Sequence, residues 1–241
     1  MTRLIAALAA TTCLGTLPAL AQDLSEARVK ELVLEAILEN PQVVMDAVAI
    51  LQQREAEAAA AQADAAMGEN RDALERDPNA PVMGNPDGDV TVVEFFDYNC
   101  PYCRRAASEV ASLIESDGDV RVVYREWPIL GEGSVFASRA ALAARAQDRY
   151  AEFHEAMLGA EGRLDETSVM RIAEEIGLDT EKLRADMEAP EVAAHIDTSM
   201  ALAQSLGFTG TPSFVIGENR APGLIDAEQM REMIEMVRED G

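Results

Sequence analysis

Basic side chains are scarce in this chain: 20 lysines and arginines stand against 44 aspartates and glutamates in 241 residues, a formal charge of -24. That balance argues against nucleic acid or an anionic membrane surface as a partner, and favours neutral or cationic polypeptides. Histidine is rarer still, with only His154 and His195. They do not form the close pair that would complete a zinc site with two cysteines, and both read as ordinary helix residues. Cysteine is limited to Cys13, Cys100 and Cys103. The apolar stretch 4–17 contains Gly15, is followed by Pro18, and falls short of the ~20 residues a membrane span requires. No heptad pattern persists over four repeats, which excludes a long coiled coil, and no internal repeat is visible.

Residues 1–21 read as a secretory signal: Arg3, the apolar stretch, then Ala19-Leu20-Ala21 as an Ala-x-Ala site before Gln22. Cleavage after Ala21 would remove Arg3 and Cys13 but no acidic residue, leaving a charge of -25. A signal of this type points to bacterial export into the periplasm. The two remaining cysteines form one Cys-x-x-Cys. A loop that short constrains an unfolded chain weakly, so the pair is better suited to reacting than to stapling.

Next comes a segment of high helix propensity, 22–76. Ser25 reads as an N-cap, with Val29, Leu32, Val33, Ala36 and Ile37 at helical spacing. Asn40-Pro41 interrupts the helix and restarts it. Val44, Val48 and Leu51 continue the apolar face, and residues 55–67 are mostly Ala, Glu and Gln. Too few large apolar residues are present for an independent core. The segment therefore reads as a helical extension that must pack on something, either docked as an arm on the main domain or, the reading its apolar stripe favours, joined to copies of itself as an oligomerisation segment.

Residues 68–89, rich in proline and glycine, read as a linker ending in a turn. The domain expected over 77–241 then begins with a strand at 90–96, apolar except for Glu94, as in a central strand buried on both faces. A helix over 104–114 and a strand from Val120 to Tyr124 make a parallel crossover. Residues 134–206 read as a block of helices inserted before Thr209-Gly210-Thr211-Pro212. A strand at 213–216, a turn at 217–219 and a final helix carrying Met230, Ile234 and Val237 complete the chain.

The chemistry centres on Cys100-Pro101-Tyr102-Cys103, placed between a strand and a helix. A thiol is a nucleophile only as thiolate, and the unpaired amides and positive dipole end of a helix N-terminus stabilise that anion. Cys100 sits where the field is strongest. Arg104 and Arg105 add positive charge beside it. Glu94 lies within an apolar strand, where burial should raise its pKa. Thr211-Pro212 alone would read as an ordinary turn.

The order strand, Cys-x-x-Cys, helix, strand, helical block, Thr-Pro, hairpin, helix is that of an α/β thioredoxin-like fold with a helical insertion. From about residue 80 onward the chain resembles the DsbA-like exported thiol-disulfide oxidoreductases. Its extension is similar to that of the ScsC-type isomerases, some of which form trimers through such a segment. The resemblance implies that Cys100 is the attacking thiolate and Cys103 the resolving cysteine, with catalysis passing through a mixed disulfide. Pro101 and Tyr102 would tune the thiolate; the family's strongest oxidants carry histidine where Tyr102 stands. Pro212 matches the family's cis-proline beside the active site, and Thr211 is shared with its isomerase members. Glu94 matches a buried acid that assists proton transfer at the resolving cysteine. The implied function is periplasmic disulfide exchange (isomerisation, reduction or oxidation) on exported polypeptides, recharged by a redox partner protein and needing no cofactor or metal. The alternative is a periplasmic chaperone or copper-binding protein, since two thiolates suit Cu(I).

Overall fold

The computed structural model describes residues 25–240, so the expected signal over 1–21, its cleavage point and Cys13 lie outside the described residues. No helix among the described residues is long and apolar enough to cross a membrane. The chain divides into two compact units between Arg54 and Glu55.

The first unit is helical. Ser25 caps α1 (Glu26–Glu39) by accepting a hydrogen bond from the Arg28 amide at 3.3 Å, which satisfies one of the orphan donors of the first turn. The chain breaks at Asn40-Pro41, and α2 (Gln42–Glu69) starts just beyond. The apolar stripe is present and uncovered: α1 buries no residue, and Val29, Leu32, Val33, Val44, Val48 and Leu51 are all exposed.

The second unit opens with the rest of α2, which buries Ala63 and Met67. In order follow α3 (Arg71–Glu75), β1 (Val82–Gly84), β2 (Val90–Phe96), α4 (Pro101–Ser116), β3 (Val120–Glu126) and α5 (Glu132–Ala144). The chain continues through α6 (Tyr150–Gly159), α7 (Glu166–Glu175), α8 (Thr180–Asp186), α9 (Pro190–Ser205), β4 (Ser213–Ile216), β5 (Asn219–Pro222) and α10 (Ala227–Asp240). The five strands lie in the order β1-β3-β2-β4-β5. Only β2 and β3 pair in parallel, as the crossover through α4 requires; the other pairs are antiparallel.

Strand β2 is central, and its alternate residues feed two cores. Val92 and Phe96 share one core with Cys103, Ala106, Val110 and Leu113 of α4. Val93 and Phe95 share the other with Trp127, Leu202, Leu206 and Phe208, together with Met67 and Leu74. Each such side chain contributes roughly 1.5–3 kcal/mol when fully buried.

Residues 68–89 are more than a linker. They contain α3 and the edge strand β1, and Leu74 is 1% exposed beneath the sheet. A single large apolar residue in a polar stretch carries no periodicity, yet it is enough to dock a one-turn helix. Within the helical block expected over 134–206, α5 and α6 are separated by a 3₁₀ turn at Arg145–Gln147 and by Asp148, whose φ is 56°. β3 also runs two residues further than expected, because Arg125 and Glu126 are buried and paired instead of solvated.

Candidate active site

The end of β2 delivers the chain to α4 through a turn held by Asp97. Its carboxylate accepts from the Asn99 amide at 2.7 Å and the Leu130 amide at 2.9 Å, while its carbonyl accepts from the Cys100 amide at 3.0 Å. Cys100 thereby becomes the N-cap of α4, in extended geometry, and Pro101 occupies the first turn. Proline suits that position because its missing amide would have had no helical partner. Tyr102 projects outward, 55% exposed, and Cys103 faces inward with no exposed surface. Cys100 and Cys103 are both free thiols.

The segment before β4 closes over this turn. The Thr211–Pro212 bond is cis, and the Thr211 carbonyl lies 3.2 Å from Cys100 Sγ. Cys103 Sγ lies 3.5 Å from the Asp97 amide, which donates to it. Glu94, 2% exposed, sits on β2 between its register partners Tyr124 and Phe214. By the alternation of the strand it shares the α4 face with Val92 and Phe96. The structure thus brings Cys100, Cys103, Thr211, Pro212 and Glu94 together.

Their proton affinities diverge as a dithiol mechanism needs. Cys100 is held at about 5, far below the usual 9.0. The hydrogen bond from Cys103 is the largest cause; burial opposes it, and Thr211 and the amides of Cys103 and Tyr102 add to it. Burial, with further contributions from Cys100 and Glu94, pushes the Cys103 thiol upward. Glu94 is raised to about 8, chiefly by burial and then by the Cys100 thiolate. At neutral pH this leaves an ionised outer sulfur, a protonated inner one and a largely protonated carboxyl beneath.

The arginines do not act as expected. Arg104 turns away and donates to the carbonyls of Ala160, at 2.8 Å, and Gly162, and Arg105 is exposed. The largest causes that lower Cys100 are its neighbouring thiol Cys103, then Thr211 and the amides of Cys103 and Tyr102. His154 is a core residue: burial holds it at about 4, and its Nδ1 meets the Tyr98 hydroxyl at 3.0 Å. Asp97 and Asn99 were missed in the sequence. The signal available was an Asp-x-Asn pattern between a strand and a cysteine, since Asp readily accepts from the backbone two residues on.

Residues 91–235 match the family model of the DSBA-like thioredoxin domain. The chain belongs to that family. Residues 26–58 match a second model, described as the copper resistance protein ScsC N-terminal domain. Among solved structures, a thioredoxin-like oxidoreductase from Silicibacter pomeroyi DSS-3 is 64% identical, with a TM-score of 0.70 over 70% of this chain and 98% of that one. A linker-deletion variant of Proteus mirabilis ScsC is 26% identical, with a TM-score of 0.70 over 92% of this DsbA-like chain and 100% of its own. The Na(+)/H(+) antiporter NhaA of Herminiimonas arsenicoxydans is 30% identical over 158 residues, 65% of this chain. The chain spans about a quarter of that antiporter's length.

Proposed function

We propose that this DsbA-like protein is a periplasmic thiol-disulfide exchanger that isomerises or reduces disulfides of exported polypeptides. The observation that carries the reading is the Cys100 thiol at the N-cap of α4, 3.2 Å from the Thr211 carbonyl and above the sealed Cys103. Cys100 thiolate attacks one sulfur of a substrate disulfide, forming a mixed disulfide and releasing the other sulfur as thiolate. In isomerisation, a substrate thiolate then attacks the substrate sulfur of that bond and returns Cys100 unchanged. In reduction, Cys103 loses its proton and attacks Cys100 Sγ; the substrate leaves as a dithiol and the enzyme keeps the disulfide. Glu94, when ionised, is the nearby group able to take the Cys103 proton. A redox partner protein then restores the dithiol.

Exposed Tyr102, Ile129 and Leu130 flank the turn that holds Cys100 and favour non-native polypeptides as substrates. The uncovered apolar stripe of α1 and the first half of α2 favours self-association, which would place several thiols around one substrate. Export of the chain rests on the signal pattern at 1–21. The direct test is recovery of activity by a scrambled disulfide substrate. The native protein is expected to catalyse it, and retention of turnover by Cys100→Ser would refute the assignment.

A further inference from the structure

Asn99 immediately precedes the reactive cysteine, and its amide side chain is fully used. Its Oδ1 accepts from the Leu164 amide at 2.6 Å, and its Nδ2 donates to the Leu164 carbonyl at 3.1 Å and to Ser134 Oγ at 3.2 Å. The side chain therefore pairs with Leu164 as a strand neighbour would, offering one donor and one acceptor. Ser134 has no exposed surface and Leu164 is 1% exposed, so water cannot replace these bonds easily.

Three further features hold the same place. A Cβ on Gly133 would run into the Leu164 carbonyl and come within 3.4 Å of Asn99 Nδ2, so only glycine leaves room for the clamp. Arg104, one residue past the motif, ties down the carbonyls of Ala160 and Gly162, and Arg163 donates to the Leu130 carbonyl. Asp165, next after Leu164, is the N-cap of α7 and forms a capping box with Ser168. Residues 160–164 thus form a strap, fixed at its far end by a helix and stitched along its length to both sides of the Cys-x-x-Cys turn.

We propose that Asn99 is a positioning residue for Cys100, through which the strap of the helical insertion sets the redox poise of the thiol pair. The proposal rests on the functional reading above. Stabilisation of a thiolate by nearby amides depends on alignment, and the amides of Tyr102 and Cys103, which help to lower the Cys100 thiol, do so only while Cys100 holds the N-cap position of α4. Losing the clamp lets Cys100 drift, misaligns those amides and destabilises the thiolate. The reduced state then loses stability relative to the disulfide, so the pair becomes less oxidising.

Two variants test this in the full-length protein: Asn99→Ala, which removes the clamp, and Gly133→Ala, which displaces the Leu164 carbonyl without touching the motif. Thiolate absorbance titration and equilibrium with glutathione read the outcome. Both variants are expected to raise the Cys100 midpoint and to shift the glutathione equilibrium toward the protein disulfide by about threefold to tenfold, tenfold being 29.6 mV for two electrons. Urea unfolding of the oxidised and reduced forms supplies the control, because a merely structural clamp would weaken both forms alike and leave midpoint and equilibrium within about twofold of native. That result in both variants overturns the proposal; if one fails to fold, the other decides it. If the native protein does not exchange with glutathione at all, the functional reading fails, and the thiolate titration alone decides the role of Asn99.

Discussion

His195 Nε2 lies 2.6 Å from Glu126 Oε2, and both side chains are sealed from solvent. The contact lies off the hydrogen-bond axis, leaving Glu126 Oε2 without an aligned donor. Glu126 is steadied by the Tyr150 hydroxyl, which donates to its other oxygen at 2.7 Å. Next to it on β3, Arg125 is equally buried and pairs with Asp77 at 2.7 Å. The His195–Glu126 contact and the Arg125–Asp77 salt bridge fasten the end of β3 to α9 and to the segment after α3. Removing the imidazole leaves Glu126 and Ser199 without this buried polar neighbour. His195→Ala is therefore expected to lower stability by about 1–3 kcal/mol in urea unfolding, without moving the thiolate titration of Cys100.

The two cysteines should fail differently. With Cys103→Ser, attack by Cys100 proceeds but nothing resolves the adduct, so mixed disulfides with substrate accumulate and appear on non-reducing gels. Cys100→Ser should give none, because Cys103 is buried and held protonated. Equal trapping by both variants would contradict the assigned order of attack.

Alkylation of the reduced protein should rise with pH around a midpoint near 5, where Cys100 ionises. Stability follows the same group. Between about pH 5 and 9 the folded reduced chain binds fewer protons at Cys100 than the unfolded chain does, so this group's contribution to stability rises with pH across that window. The contribution is lost as pH falls through 5. The disulfide form lacks this thiol, so the difference in unfolding midpoint between reduced and oxidised protein should grow from pH 5 to 9.

Glu94 acts in the opposite sense. With its pKa raised from 4.5 to about 8, the folded chain binds more protons there than the unfolded chain, and stability declines as pH rises through that interval. Glu94→Gln removes the titration. At pH 7 the reduced variant should be more stable than native by about 3 kcal/mol, at 1.36 kcal/mol per pKa unit. It should also resolve mixed disulfides more slowly. A destabilised variant with unchanged pH dependence would place Glu94 outside this role.

Deletion of the helical arm tests oligomerisation. If the proposed self-association runs through this arm, removing residues 22–54 should leave monomers in light scattering where the full chain gives a larger species, with the urea midpoint of the catalytic unit in place. Removing 22–76 takes away Met67 and Leu74 as well, both 1% exposed. Losing a buried side chain of that size is expected to cost about 2–5 kcal/mol each. Only the shorter deletion separates assembly from folding.

Much of this fold was legible because its elements are locally consistent. Val90 to Phe96 and Val120 to Tyr124 are β-branched and aromatic runs, the helices between 134 and 206 carry glycine and proline at their ends, and Cys100-Pro101 marks a helix start. What stayed hidden depends on partners distant in sequence. Leu74 looks like an isolated apolar residue until the sheet covers it. Arg125 and Glu126 lie just past the strand expected to end at Tyr124, and His195 reads as an ordinary helix residue, because nothing local tells a polar side chain that it will meet its partner inside. The Asp97 turn had a local pattern, but the clamp made by the Asn99 side chain had none: its partners Ser134 and Leu164 lie 35 and 65 residues away.

The inward turn of Cys103 makes the motif a single-headed reagent. Two sulfurs share one chemistry, but in the intact fold Cys100 keeps a 4% exposed, ionised edge while Cys103 has none. A mass-tagging alkylator should therefore count one thiol of this pair in the native reduced chain and two after unfolding, which turns a small difference in burial and ionisation into a stoichiometry.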